Sequence, residues 1–231
     1  MKIEILPDSI AVAVRAAEII ADDARAAIGA RGVFTLAVSG GNTPWQMLRA
    51  LAQQPVPWSA VQLFQVDERV APDGDPDRNL THMQETLLGA VKIPPENVHA
   101  MPVNDPDLAA AAGRYAHEIE STAGAPPVFD LVHLGLGPDG HTASLVPGDS
   151  ALLVTNTEVA LAGPYLGHRR MTLTYPVLDS ARRVLWVVTG AEKARMLSLL
   201  RAGDRTIPAG RVNAANATLL ADRAAALAHA G

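Results

Sequence analysis

The chain has 231 residues, 48% of them apolar, and a formal net charge of −5. This apolar content is ample for a large core, while the acidic balance without a lysine- and arginine-rich run argues against a nucleic-acid partner. There is no cysteine, which excludes disulfides, thiolate metal sites and cysteine nucleophiles. No apolar run is long enough for a signal core or a bilayer span, and we expect a cytoplasmic protein with no membrane partner.

The hydrophobic pattern alternates between strand and helix, which is typical of an α/β fold built on a mostly parallel sheet. In chain order the predicted elements are strand 2–6, helix 9–28, strand 33–38, helix 44–51, strand 61–66, helix 79–88, strand 98–101, helix 107–121, strand 129–136, strands 155–161 and 170–174 joined by a flexible segment 163–169, strand 184–188, a helix reaching about residue 200 and a final helix from about residue 220. Neither a repeat nor a long linker interrupts this series, so the sequence predicts a single domain over residues 1–231.

The second predicted strand ends in a turn of small residues, Ser39-Gly40-Gly41-Asn42-Thr43-Pro44, which opens a helix. Free backbone N–H groups and the positive end of the helix dipole at such a turn suit a phosphate. The alternative is a plain connector whose glycines only make the bend. We favour phosphate binding, with Gly40, Gly41 and Thr43 as contacts.

Charged residues follow or begin several of the predicted strands. Asp67-Glu68-Arg69 ends the third strand, where Arg69 can clamp an anion with its fork of donors and Asp67 can orient it. Lys193 is one of three lysines and lies in the first turn of a helix, where the helix dipole disfavours a cation. A bound anion would explain that placement, and Arg170, at the start of a strand, would contribute likewise.

The central predicted strand, 129–136, leads into a glycine-rich loop that carries Asp139 and His141. Parallel sheets bind ligands beyond the carboxyl ends of their strands, so both side chains are expected at a substrate site. A neutral imidazole there can take a proton from water, and Asp139 can hold the ring in one tautomer. The segment 135–140 also matches the dinucleotide fingerprint G-x-G-x-x-G, but Pro147-Gly148 cuts short the helix that a dinucleotide requires.

The other histidines, serines and threonines predict neither a metal site nor a nucleophile. The spacings H-x-H and H-x-x-x-H are absent, which argues against a catalytic zinc, and no G-x-S-x-G elbow marks a serine nucleophile. We therefore interpret Ser39, Thr43, Thr142 and Ser144 as caps and backbone donors. The histidines interpreted as packing or surface residues are His82, His99, His117, His133 and His229, and His168 is left open.

Taken together, these residues resemble the 6-phosphogluconolactonase family, which is similar in fold to the glucosamine-6-phosphate deaminases and isomerases. The resemblance covers most of the chain, and the order and spacing of its motifs make it specific. It rests on residues 36–44, on Asp67-Glu68-Arg69 followed by Asn79, and on residues 134–145, 170–174 and 188–193.

The resemblance implies a Rossmann-like three-layer α/β/α sandwich that hydrolyses 6-phospho-D-glucono-1,5-lactone to 6-phospho-D-gluconate in the oxidative pentose phosphate pathway. His141 would be the general base, and no metal or organic cofactor is implied. The groups expected to hold the phosphorylated sugar lactone are Arg69, Arg170 and Lys193, with Asp67, Asn79, Thr43 and the Gly40-Gly41 turn. The cation that meets the phosphate and the one that meets the oxyanion stay unassigned, and a monomer or homodimer is expected.

Two details favour a lactonase over a deaminase. Arg69 stands where the deaminases typically carry a tyrosine, and Thr142-Ala143-Ser144-Leu145 replaces their Ile-Ala-Phe-Asn-Glu-like run. Departures from the lactonase pattern occur at Arg78, Leu80 and Val146, in the loop before Arg170, and over 213–220, which lacks the usual tryptophan. The alternatives are a deaminase or isomerase acting on amino-sugar phosphates and a non-catalytic sugar-phosphate sensor.

Overall fold

The computed structural model describes residues 1–227 of the chain. Within this range the strands are β1 (Lys2–Leu6), β2 (Phe34–Val38), β3 (Val61–Gln65), β4 (Asp67–Arg69), β5 (Val98–His99), β6 (Leu131–Leu134), β7 (Val159–Tyr165), β8 (His168–Leu173), β9 (Val184–Val188) and β10 (Ala217–Asp222). The α-helices are α1 (Ser9–Arg31), α2 (Asn42–Leu51), α3 (Asn79–Met83), α4 (Leu108–Ala123), α5 (Tyr175–Ser180), α6 (Ala194–Ala202) and α7 (Arg223–Ala226). A π-helical turn over Gln84–Leu88 continues α3, and a 3₁₀ turn over Ala191–Lys193 precedes α6.

The longest helix, α1, has a capping residue at each end. The Asp8 carboxylate accepts a hydrogen bond from the Ala11 N–H (2.9 Å), which satisfies one of the free donors at the helix start. Gly32 ends the helix with a φ of 78°, a left-handed conformation that favours glycine. The buried residues of α1 are nearly all alanine, valine and isoleucine, so the helix packs close to the sheet.

The central sheet contains seven parallel strands in the order β1-β10-β9-β6-β2-β3-β5. Its inner strands are buried on both sides, as expected when helices cover each face. One core cluster packs α1 and α2 against one face, and a second packs α4, α5 and α6 against the other. The predicted three-layer α/β/α architecture is confirmed.

A second sheet of three antiparallel strands, β4-β8-β7, branches from the first. Val66 makes the transition, since its N–H donates to the Val38 carbonyl of β2 (2.9 Å) and its carbonyl accepts from the Leu173 N–H of β8 (2.8 Å). β4 therefore leaves the central sheet directly after β3. This branch brings Asp67-Glu68-Arg69 beside the carboxyl edge of the central sheet.

Three predicted elements need correction. The final helix does not start near Leu220, because Leu220 lies in β10 and α7 begins at Arg223. β10 is buried between β1 and β9, and a strand covered on both faces lacks the alternation that separates a strand from a helix. The strand predicted at 155–161 begins instead at Val159, and segment 163–169 forms a tight hairpin instead of a flexible joint. His229 lies outside the described residues.

Candidate active site

A cavity of about 580 Å³ lies at the carboxyl edge of the central sheet. The loops that follow β2, β6 and β9 line it, because parallel strands bring their carboxyl ends to the same edge. Residues of β4 and of the β7–β8 hairpin complete the wall. The wall includes His141 together with every predicted substrate contact, namely Gly40, Gly41, Thr43, Asp67, Arg69, Asn79, Arg170 and Lys193.

His141 lines the cavity and is hydrogen-bonded to Asp139, which does not itself line it. One carboxylate oxygen of Asp139 lies 2.6 Å from Nδ1 of His141 and also accepts from the His141 backbone N–H at 3.1 Å. Partial burial by itself raises the pKa of Asp139, but the hydrogen bonds from His141 outweigh this and shift the pKa downward. An ionised acceptor at Nδ1 favours the tautomer with its proton there, which leaves the Nε2 lone pair unprotonated.

Two backbone hydrogen bonds close the loop that carries His141 and Asp139. The Gly137 N–H donates to the His141 carbonyl (2.8 Å), and the Gly140 N–H donates to the Gly137 carbonyl (3.1 Å). Residues 135–149 contain no helix. The loop therefore lacks the helix start that a dinucleotide pyrophosphate needs, in agreement with the sequence argument against that ligand.

Tyr165 is a cavity residue that the sequence analysis missed. Its hydroxyl donates to the second carboxylate oxygen of Asp139 (3.1 Å) and lies 3.4 Å from Nδ1 of His141. Its ring meets the imidazole edge-on, with centroids 5.1 Å apart, and lies 5.3 Å from the Arg170 guanidinium carbon. The available signal was the Leu166-Gly167 pair between two predicted strands, since two-residue turns containing glycine connect hairpin strands.

Two arginines face each other across the small sheet. Arg69 of β4 pairs directly with Arg170 of β8, and like charges in that arrangement repel unless an anion lies between them. Arg170 is 5% exposed, and among the described residues its Nε has no hydrogen-bond partner. Burial lowers the pKa of Arg170, and the charge of Asp67 opposes that shift. The pair is placed to bind an anionic substrate group.

Lys193 also lines the cavity, from the 3₁₀ turn before α6. Burial lowers its pKa, while the nearby carboxylates of Glu192 and Asp139 act in the other direction. The preceding Gly190 has a φ of 97°, and its N–H is held by the Asp222 carboxylate at 3.1 Å. Lys193 therefore lies at the start of α6, where the helix dipole favours negative charge.

Asp67 connects two walls of the cavity. It is 5% exposed, and its carboxylate accepts from the Ser144 hydroxyl (2.7 Å) while its carbonyl accepts from the Asn79 amide (2.9 Å). Burial raises the pKa of Asp67, against the lowering effects of Ser144 and Arg170. Ser144 is therefore a donor to a buried carboxylate, consistent with its interpretation as something other than a nucleophile.

The neighbouring Glu68 is structural and does not line the cavity. Its buried carboxylate accepts from the backbone N–H groups of Asn79 (2.8 Å) and Leu80 (2.9 Å), at the start of α3. Arg78 lies 3.3 Å from the same carboxylate and 2.6 Å from that of Asp73. The departure from the family pattern at Arg78 is thus accommodated by an ion-pair cluster behind the cavity.

The turn between β2 and α2 presents backbone to the cavity. No side chain caps the start of α2, and Gly41 has a φ of 129°. A Cβ on Gly40 would lie 1.9 Å from the Asn79 side chain, so a larger residue there would displace Asn79. The Thr43 hydroxyl bonds that of Thr189 (2.5 Å), which joins this turn to the loop after β9. The turn thus has the geometry of an anion site.

The remaining histidines lie away from this chemistry. His133 is fully buried, His99 is held between Glu118 and Gln62, and His117 is 83% exposed. His168 bonds the Asp77 carboxylate (3.0 Å) at the hairpin. In the described part of the chain no cluster of His, Asp or Glu side chains forms a metal-ligand set, and none of its helices has the length and apolarity to cross a membrane.

The comparisons with known proteins agree on one family. The sequence model described as glucosamine-6-phosphate isomerases/6-phosphogluconolactonase matches residues 7–221. The 6-phosphogluconolactonase of Mycobacterium tuberculosis is 37% identical and is aligned over 97% of this chain and 96% of its own. That of Nostoc sp. is 38% identical over 85% of this chain and 83% of its own. The crystal structure of 6-phosphogluconolactonase from Thermotoga maritima superposes with a TM-score of 0.86 at 29% identity, over 96% of this chain and 98% of that one.

Proposed function

The chain belongs to the glucosamine-6-phosphate isomerase/6-phosphogluconolactonase family, and on that premise we propose that it hydrolyses 6-phospho-D-glucono-1,5-lactone to 6-phospho-D-gluconate with His141 as general base. The arrangement that supports this most is an imidazole with a free Nε2 in a cavity that also holds two arginines and a lysine. A lactone with a phosphate at its far end requires both a base and an anion site.

His141 performs both proton transfers in this mechanism. Its Nε2 takes a proton from a water molecule, whose oxygen forms a bond to the lactone carbonyl carbon. When the tetrahedral intermediate collapses, the bond from that carbon to the ring oxygen breaks and Nε2 returns the proton to the ring oxygen. The resulting carboxylic acid ionises at neutral pH and releases one proton for each lactone opened. Asp139 holds the ring orientation and stabilises the transient imidazolium.

The cations bind the charged parts of the substrate. Arg69 and Arg170 form one positively charged side of the cavity and Lys193 forms another. The start of α2 adds backbone donors from the Gly40-Gly41 turn. Within the proposal, one group of donors binds the phosphate and the other stabilises the oxyanion, and either assignment satisfies the charges.

Lactone opening followed by pH-stat, corrected for spontaneous hydrolysis, tests the proposal. His141→Ala should lower kcat by roughly 10²- to 10⁴-fold, the usual contribution of a general base, while the far-ultraviolet circular dichroism stays unchanged. His117→Ala is the matched control, because that histidine is 83% exposed on α4 and should retain full activity. Equal activity of His141→Ala and wild type would refute the base assignment.

The same protein samples separate the rival functions. Release of ammonia from glucosamine-6-phosphate would indicate a deaminase, and binding of 6-phosphogluconate without accelerated lactone opening would indicate a sensor. Cell fractionation and sedimentation test the remaining parts of the proposal, a cytoplasmic location and a monomer or homodimer.

A further inference from the structure

We infer that Tyr165 is a positioning residue for the proposed lactonase reaction, linking the catalytic pair to the anion site. Its hydroxyl fixes the Asp139 carboxylate behind His141, and its ring supports the guanidinium of Arg170. The inference rests on the proposed function and adds to it a residue that reaches the site from the β7–β8 hairpin.

The first part of the argument is the orientation of Asp139. One carboxylate oxygen is occupied by His141, and the Tyr165 hydroxyl donates to the other at 3.1 Å. With both oxygens bonded, the carboxylate cannot rotate about its terminal torsion without losing a hydrogen bond. Burial raises the pKa of Tyr165, and the charge of Asp139 adds to that shift, so the phenol remains a protonated donor.

The second part is the support of Arg170. The guanidinium carbon lies 5.3 Å from the Tyr165 ring centroid, within the range of a cation–π contact, and Nη2 donates to the Tyr165 backbone carbonyl at 3.2 Å. Arg170 is buried, and among the described residues its Nε has no partner. The ring therefore contacts a buried cation that lines the cavity.

The third part is the rigidity of the segment that carries the tyrosine. Tyr165 pairs with His168 at the end of the β7–β8 ladder, and the turn between them consists of Leu166 and Gly167 alone. Both turn residues have positive φ, 50° and 86°, as the two-residue hairpin turn requires. A tight turn gives the phenol a defined position at the cavity wall, which a flexible loop would not.

The hydroxyl also has an electrostatic effect with a defined sign. A hydrogen bond from Tyr165 draws electron density from the Asp139 carboxylate, which weakens its attraction for a proton on the neighbouring imidazole. Loss of the hydroxyl should therefore raise the pKa of Asp139, because the Tyr165 hydrogen bond is one of the interactions that lower it. The other charged groups near the pair are Arg170 from β8 and Lys193 from the turn before α6, and neither is altered by changing the tyrosine.

Tyr165→Phe tests the inference because it removes the hydroxyl and retains the ring. We expect kcat to fall roughly three- to tenfold, since a partly exposed hydrogen bond to a charged group is lost, with KM within about twofold of wild type. The acid limb of the kcat/KM profile should move upward, because the Asp139 carboxylate that orients His141 becomes protonated at a higher pH. Tyr165→Leu, which also removes the ring from Arg170, should add an increase in KM.

Tyr175→Phe is the matched control. Its hydroxyl donates to the Pro208 carbonyl (3.0 Å), Tyr175 does not line the cavity, and its loss should leave the pH profile unchanged. An active Tyr165→Phe protein whose kcat and pH profile match wild type would overturn this inference, as would a loss of kcat with an unchanged acid limb. Absence of lactone opening in the wild-type protein would instead overturn the proposed function.

Discussion

The imidazole of His141 occupies space that a side chain at position 137 would need. A Cβ on Gly137 would lie 2.0 Å from Nδ1 of the ring, whereas a Cβ on Gly135 would meet nothing within 4 Å. Gly140 is required for another reason, since its φ is 85° and a Cβ there would lie 2.6 Å from Ile207. The glycines that resemble a dinucleotide fingerprint thus serve to fold the loop and make room for the His141 ring.

His133, on β6 behind the Gly40-Gly41 turn, has a different role from His141 and leads to a pH prediction. Its Nδ1 accepts from the Ser39 N–H (3.3 Å), and burial lowers its pKa to about 3 from an ordinary value of 6.5. Between pH 6.5 and 3 the unfolded chain binds a proton at this ring and the folded chain does not, so acidification favours unfolding. We expect His133 to contribute a loss of about 1 kcal/mol in unfolding free energy between pH 7.5 and 5.5, measured by urea titration.

A His133 variant separates the contribution of this ring to the pH dependence of stability from that of the other titrating groups. His133→Asn keeps an acceptor near the position of Nδ1 and cannot be protonated, so its stability should fall less steeply between the same pH values than that of wild type. The control is His117→Asn, which removes an exposed histidine and should leave the slope unchanged. Parallel slopes for wild type and His133→Asn would contradict the assignment.

At the scale of the elements, the β7–β8 hairpin has at its tip a residue that disfavours the backbone conformation found there. Leu166 has a φ of 50° and is 76% exposed, so it bears the cost of a left-handed conformation and gains little from burial. Asparagine tolerates this conformation, and Asn-Gly is a favoured pair for the turn. Leu166→Asn should raise the unfolding free energy by about 0.5–1 kcal/mol in urea titration.

Leu166→Ala provides the comparison for that hairpin. It removes the exposed side chain but keeps a residue that disfavours positive φ, so it should be no more stable than wild type. If Leu166→Asn and Leu166→Ala had equal stability, backbone conformation would not limit the hairpin and the prediction would be wrong.

The elements also show where sequence reasoning succeeds. Strands β2, β3, β6 and β9 were predicted because each is a short apolar run between turn residues, and the helices beside them because their apolar residues recur with helical spacing. β10 was assigned in part to a helix because its Leu-Leu-Ala run precedes an alanine-rich segment. Its strand conformation depends on pairing with β1 and β9, which are distant in sequence, and α5 was missed because six residues give no usable period.

At the scale of the molecule, parallel topology made the candidate site predictable. Loops after β2, β6 and β9 must meet at one edge, so the residues chosen at those strand ends also line one cavity. Tyr165 was missed because, unlike Arg69 and Arg170 of the same second sheet, it carries no charge and lies in a segment predicted to be a flexible joint. Its contact with Asp139 follows from the branch at Val66, and no local pattern in the sequence specifies that branch.

The same convergence predicts that the fold and the site are lost together. Trp45 and Trp186 belong to core clusters on opposite faces of the sheet, while cavity residues come from loops connected to both faces. Variants that retain only Trp45 or only Trp186, with the other tryptophans changed to phenylalanine, should each show a single urea transition that coincides with loss of far-ultraviolet circular dichroism.

Added 6-phosphogluconate at a hundred times its Kd should stabilise both variants by about 2.7 kcal/mol, because it binds only the assembled site. Gluconate at the same concentration is the control and should shift neither, since it lacks the phosphate that we propose the cations bind. A tryptophan transition that separates from the circular dichroism transition, or ligand stabilisation confined to one variant, would divide the chain into two independently folding units and contradict the single domain.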